Sequence, residues 1–172
     1  MSKLRERDGL GAKALEFAIL TACRTNEALR ATWQEIDLDA AIWVVPAERM
    51  KAGREHRVPL SKAAIALLRP LSVGKPDDWL FPGLKAGKPL SDMTLLATLK
   101  NMGRDDLTVH GFRSTFRDWA AEKTDFAREV AESALAHTIG NKVEAAYRRG
   151  DLIDKRKQLM EGWATYCAGV TL

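Results

Sequence analysis

The apolar residues of this chain recur at two different periods. Ala14, Leu15, Ala18, Ile19 and Ala22 fall at helical spacing, which predicts a helix over about residues 10–23 with one buried face. Met1 to Asp8, ahead of it, is polar and is expected to fray. Thr25 reads as the N-cap of a short helix, Asn26 to Thr32, with Glu27 in the first turn where the helix dipole favours a carboxylate. From Trp33 the period becomes two. Ile36, Leu38, Ile42, Val44 and Val45 are mostly branched, with Asp39-Ala40-Ala41 between them, and predict a hairpin. A third strand is expected at about His56 to Leu60. Ala52-Gly53 lets the chain turn sharply before it, so Lys51 projects from a hairpin tip.

Helical spacing then returns. Ser61 is placed to cap a helix to about Leu71, and Ser91 another to about Met102. Between them, residues 72–89 carry three prolines and three glycines, and Trp79-Leu-Phe-Pro is expected to plug the core. After a connector at Gly103 to Leu107, His110 to Glu122 reads as a helix with Phe112, Phe116 and Trp119 or Ala120 inward. Phe126 to Ala136 is a further helix, and His137 lies just past its end with Gly140 helping the chain turn. Asn141 is expected to cap a short helix, Lys142 to Arg149, that carries Tyr147. Leu152, Ile153, Leu159, Met160, Trp163 and Cys167 form a last apolar stripe. That stripe either folds back on its own domain or docks on a neighbouring subunit. The class is mainly α with a small antiparallel β-sheet (α+β), without internal repeats or linkers.

At 172 residues the chain suits one domain able to bury roughly 70% of its unfolded surface. The apolar fraction of 46% and charged fraction of 29% are those of an ordinary globular protein. No apolar run reaches the length of a membrane span and no signal peptide is evident, so a cytoplasmic protein without a membrane partner is expected. Cys23 and Cys167 lie far apart without metal spacing and read as reduced thiols. The net charge of +4 and a pI near 9.2 fit a nucleic-acid partner without establishing one.

Candidate chemistry concentrates in residues 110–147, which hold two of the three histidines and one of the two tyrosines. Imidazoles move protons, an arginine holds phosphate oxygens in a fork, and a phenol is a nucleophile. His110 and Arg113 share a face near a helix N-terminus, where an anion is favoured. Taken singly, each residue has a plain structural explanation. Arg24 reads locally as a surface arginine paired with Glu27, and Lys51 as a solubilising charge on a turn. A lone histidine is more often structural than catalytic, and a tyrosine on an amphipathic helix is usually core or rim.

The ordered set is more specific. Thr21-Ala-Cys-Arg24-Thr-Asn-Glu27-Ala-Leu, Lys51 ahead of Arg57-Val-Pro-Leu-Ser61, His110-x-x-Arg113, Leu135-Ala-His137 and Tyr147 together resemble the catalytic domain of tyrosine recombinases, most nearly a phage or prophage integrase. The resemblance covers about residues 10–150. It implies site-specific DNA integration through a covalent 3′-phosphotyrosyl intermediate. Tyr147 would be the nucleophile. Arg24 and Arg113 would hold the non-bridging oxygens, and His137 would hydrogen-bond a phosphate oxygen. Lys51 would be the general acid, His110 would assist proton transfer, and Glu27 would orient Arg24. No metal, ATP or other cofactor is expected. The partners implied are double-stranded DNA at attachment sites and other integrase protomers on that DNA, with mostly monomer in free solution. Readings kept alongside are a type IB topoisomerase-like enzyme using the same residues, a non-catalytic helical DNA-binding regulator, and a scaffold that uses its histidines and arginines in ion pairs.

The chain departs from the family pattern in places. Ala22 and Ala136 stand where glycine is frequent; both are small, and little effect is expected. Family members usually carry N-terminal DNA-binding domains, whereas residues 1–172 read as one catalytic domain, with 151–172 a C-terminal helix folded in cis or exchanged between protomers. The chain thus reads as a fragment, whose DNA affinity should be weak and fade quickly with salt.

Overall fold

The computed structural model describes residues 1–71, 74–137 and 151–169. Tyr147, Gly140, Asn141 and the helix expected at 142–149 lie outside the described residues.

After a short first helix, α1 (Ser2–Arg5), the chain forms its central helix, α2 (Leu10–Thr21). The expected single buried face is a correction to make. Ala12, Ala14, Leu15, Glu16, Phe17, Ala18, Ile19, Leu20 and Thr21 are all buried, so α2 is enclosed nearly all round. A helix that is apolar on every side needs neighbours on every side. Here α1, α3 (Thr25–Leu29), α4 (Lys62–Leu68), α5 (Thr94–Asn101) and the last helix, α8 (Ile153–Cys167), supply them. The one carboxylate drawn in, Glu16, pairs with Arg5 at 2.6 Å.

The period-two stretch forms a three-stranded antiparallel sheet in the order β1 (Ile36–Asp37), β2 (Ile42–Val45), β3 (His56–Pro59). Its register pairs Ile36 with Trp43, Trp43 with Val58 and Val45 with His56. Asp37 makes the first turn by accepting backbone N–H groups of Asp39 at 3.0 Å and Ala40 at 2.7 Å. Trp43 is fully buried and meets Phe17 of α2 with ring centroids 5.1 Å apart; Phe17 in turn meets Phe81 at 5.6 Å. Phe81 and Leu80 thus plug the core as expected of the Trp79-Leu-Phe-Pro stretch.

Ser61 caps α4, its hydroxyl accepting from the Ala64 N–H at 3.3 Å. Ser91 sits further from its helix than expected. The N-cap of α5 is Met93, and Ser91 shapes the preceding turn, its carbonyl accepting from Thr94 N at 2.8 Å. Thr25 also needs correcting, because the N-cap of α3 is Arg24. Helix α6 (Gly111–Lys123) buries Phe116, Trp119 and Ala120, and α7 (Arg128–Ala134) buries Val130, Ala131 and Ala134. The C-terminal stripe forms α8, packed on its own chain. Trp163 donates its indole N–H to the Ile19 carbonyl at 2.7 Å and meets Phe116 edge-on at 5.4 Å.

Candidate active site

The joint between α2 and α3 is built by its sequence. Thr21 ends α2 with its hydroxyl on the Phe17 carbonyl at 2.7 Å, and Ala22 reverses the chain at φ 49°, ψ 28°. Arg24 follows in extended conformation as the N-cap of α3. Three residues on, Glu27 reaches back. One carboxylate oxygen accepts the Arg24 backbone N–H at 2.8 Å and the other its Nη1 at 2.7 Å. This is the carboxylate half of a capping box. The ion pair that local spacing suggested therefore forms, and it fixes the direction of Arg24 as well. The Arg24 side chain keeps 31% of its exposure while Glu27 keeps 6%, so the buried partner orients the accessible one.

Arg113 projects from the first turns of α6 and is buried. Its Nη1 donates to the Ala22 carbonyl and its Nη2 to the Leu135 carbonyl, the latter at 2.9 Å. Both carbonyls are at helix C-termini, of α2 and α7, where the dipole presents partial negative charge. One guanidinium thus ties three sequence segments that lie far apart in the chain. Burial, and secondarily the positive charge of Arg24, pull its proton affinity below that of a free arginine. The two arginines are close in the fold because Arg113 bonds the carbonyl of Ala22, two residues ahead of Arg24.

The end of α7 delivers His137. The Ala136 N–H bonds to the Ser133 carbonyl at 3.1 Å and the His137 N–H to the Glu132 carbonyl at 2.9 Å, a Schellman turn with Ala136 left-handed at φ 51°. His137 Nδ1 meets the Glu132 carboxylate at 2.7 Å, which leaves Nε2 toward Arg113 Nη2 at 3.5 Å. Glu132 also pairs with Arg117 at 2.9 Å. Ala22 and Ala136, expected to matter little, both occupy the left-handed region where glycine carries no penalty. Ala22 contributes one of the carbonyls that Arg113 holds, and Ala136 directly follows the other, that of Leu135.

Other members of the expected set are less enclosed. His110 is exposed at the N-cap of α6, its carbonyl accepting from Arg113 N at 3.0 Å. Lys51 is exposed on the turn between β2 and β3, which closes through a Gly53 N–H to Met50 carbonyl bond of 2.9 Å with Gly53 at φ 60°. Tyr147 lies outside the described residues. Arg24, Arg113 and His137 are thus brought together, and Lys51 and His110 occupy accessible positions on elements flanking them.

Sequence reading missed several groups around the site. Glu132, five residues before His137, was one carboxylate among many. His56 lies against the α7 end, its Nε2 at 3.2 Å from the Ala134 carbonyl and 3.5 Å from Arg156 Nη2. Burial first, then the Arg156 charge, lowers its pKa to about 4. Arg156 is 1% exposed, bonds the Asp151 carbonyl at 3.2 Å, and is lowered to about 10 by burial. Only its place on the inner stripe of α8 could have shown it. Cys23 is buried and its pKa is pushed up to about 12, so it is an unreactive neighbour of Arg24. Among the described residues no group of three His, Cys, Asp or Glu side chains is arranged to hold a metal ion.

The sequence pattern of the phage integrase family matches residues 5–151. The chain belongs to that family. It is 41% identical over 153 residues to prophage integrase IntA of Escherichia coli K12, an alignment covering 86% of this chain and 36% of that protein. It is 34% identical over 171 residues to the integrase of Enterobacteria phage P4, covering 89% and 39%. The chain therefore spans well under half the length of these relatives. The integrase from mycobacterium phage Brujita shares the fold, with a TM-score of 0.69 at 18% identity over 90% of this chain and 52% of that one. The architecture is that of a tyrosine-recombinase catalytic domain.

Proposed function

We propose that this integrase-family chain cleaves and rejoins duplex DNA at attachment sites through a covalent 3′-phosphotyrosyl intermediate, as the catalytic part of a site-specific recombinase. The observation that supports the reading is geometric: Arg113 holds the carbonyl of Ala22, two residues ahead of Arg24, and its Nη2 lies 3.5 Å from His137 Nε2. A phosphodiester is anionic, and charge gathers on its non-bridging oxygens in the transition state. Two fixed guanidiniums meet that charge without reorganising, each at a scale of about 3 kcal/mol for one preorganised donor. Arg113 suits this because a guanidinium has five N–H donors; it can spend two on carbonyls and still present a fork to phosphate.

In the proposed step the Tyr147 oxygen forms a bond to phosphorus while the bond to the 5′-oxygen breaks. His110 assists removal of the phenolic proton, Lys51 delivers a proton to the departing 5′-oxygen, and His137 hydrogen-bonds a phosphate oxygen. Tyr147 needs this help because an ordinary phenol, with a pKa near 10, stays protonated at neutral pH. Glu132 holds His137 by Nδ1, which fixes Nε2 as the atom facing the phosphate. Reversal of the same step by a different 5′-hydroxyl gives recombinant strands, and the phosphotyrosyl bond conserves the energy of the one it replaced. Other protomers on the same DNA complete the exchange. On a nicked suicide substrate at low salt, Tyr147→Phe should fold normally and give no covalent protein–DNA adduct. An adduct formed by that variant would refute the assignment.

A further inference from the structure

We propose that Arg49 is a positioning residue that seats Lys51 relative to Arg24, acting through Glu35 and the Glu27 backbone; this rests on the reading of Lys51 as general acid. Arg49 ends the short 3-10 segment Ala47–Arg49 and lies two residues ahead of Lys51. Residues 51–55 are all exposed, so the tip has no packing of its own and its placement depends on its stem. That stem is fastened inward. Arg49 Nη2 pairs with Glu35 Oε2, which also accepts the Trp43 indole N–H at 2.9 Å, while Glu35 Oε1 accepts the Thr32 hydroxyl at 3.2 Å. The Arg49 side chain is 19% exposed and that of Glu35 10%. Met50, 6% exposed, is a second peg in the core.

A hairpin anchor alone needs nothing beyond Glu35 and Trp43. Arg49 does one thing more, donating Nη1 to the Glu27 carbonyl at 3.2 Å. Glu27 is the residue whose carboxylate fixes Arg24. A short path therefore runs from the stem of the lysine turn, through Arg49 and Glu27, to the phosphate-facing guanidinium. Arg49 holds the proton donor's turn at a set distance from the group that holds the phosphate. This matters because a general acid acts only when its proton is within hydrogen-bond reach of the departing oxygen.

The test compares two suicide substrates, one ordinary and one with sulfur replacing the bridging 5′-oxygen. A thiolate leaves without a proton, so the sulfur substrate does not need Lys51. Arg49→Met and Glu35→Gln should slow adduct formation on the oxygen substrate by about 10- to 100-fold, part of the factor a general acid supplies, and run within about threefold of the parent on sulfur. Lys51→Ala should show the same rescue, and Arg49→Met should add little to Lys51→Ala on either substrate. Glu35→Gln, nearly isosteric, carries the test if Arg49→Met does not fold. Equal losses on both substrates for Arg49→Met and Glu35→Gln, with Lys51→Ala rescued, overturn the positioning role alone. If Lys51→Ala is not rescued, its general-acid reading fails and the proposal falls with it.

Discussion

Ala22 and Ala136 give the sharpest stability prediction. Each is an alanine at φ near +50°, at the turn that ends a helix. The left-handed conformation costs an L-residue roughly 1–2 kcal/mol that glycine does not incur. Glycine in turn frees the unfolded chain, which costs about 0.4–1 kcal/mol. The difference predicts that Ala22→Gly and Ala136→Gly each stabilise the protein by about 0.5–1 kcal/mol. For a chain of this length that is a rise in Tm of roughly 1–4 °C. Ala66, exposed in the middle of α4, is the control. There the same substitution should cost about 1 kcal/mol, since helical φ gives glycine no advantage. Thermal unfolding followed by circular dichroism on the three variants reads the sign directly. If all three fall together, the two turns are not strained and the account of these helix ends is wrong.

Further outcomes follow from the same geometry. Arg113→Met should lose about 2–4 kcal/mol in denaturant unfolding as well as adduct formation, because it leaves two helix-end carbonyls without their donor. Arg24→Lys should change stability by less than about 1 kcal/mol, as a part-exposed pair, yet lose most of its cleavage rate because lysine lacks the fork. His56 titrates near 4 in the folded chain against an ordinary 6.5, so the unfolded state binds more protons between those values. Its contribution, at most about 3 kcal/mol, is therefore complete above pH 6.5 and lost as pH falls toward 4. His56→Gln should flatten that part of the stability–pH curve.

Periodicity made most of the architecture legible, because burial imposes 3.6 on helices and two on strands. The three strands and the inward face of α6 could be read from it. What stayed hidden depended on tertiary company. Nothing in the spacing of α2 says that five helices surround it, and an alanine at φ +50° looks like any helical alanine. The cap of α3 was misplaced by one residue because Thr25 is a better intrinsic cap than Arg24, and the Glu27 carboxylate overrides that preference. The order of basic residues along the chain marked the candidate site. Its supporting groups, Glu132, Arg49 and Glu35, could not be read, since ordinary charges acquire such roles only through the fold.

If two guanidiniums share the charge of one phosphate, a neutral scissile group removes what they share. On a phosphodiester, Arg24→Ala should slow adduct formation by about 10²–10³, the scale of one lost preorganised donor. Replacing one non-bridging oxygen by methyl removes the charge that Arg24 is proposed to answer. With that sharing in place, the deficit of Arg24→Ala should shrink to less than about tenfold for one methylphosphonate diastereomer. An equal deficit on phosphodiester and on both methylphosphonates would contradict it.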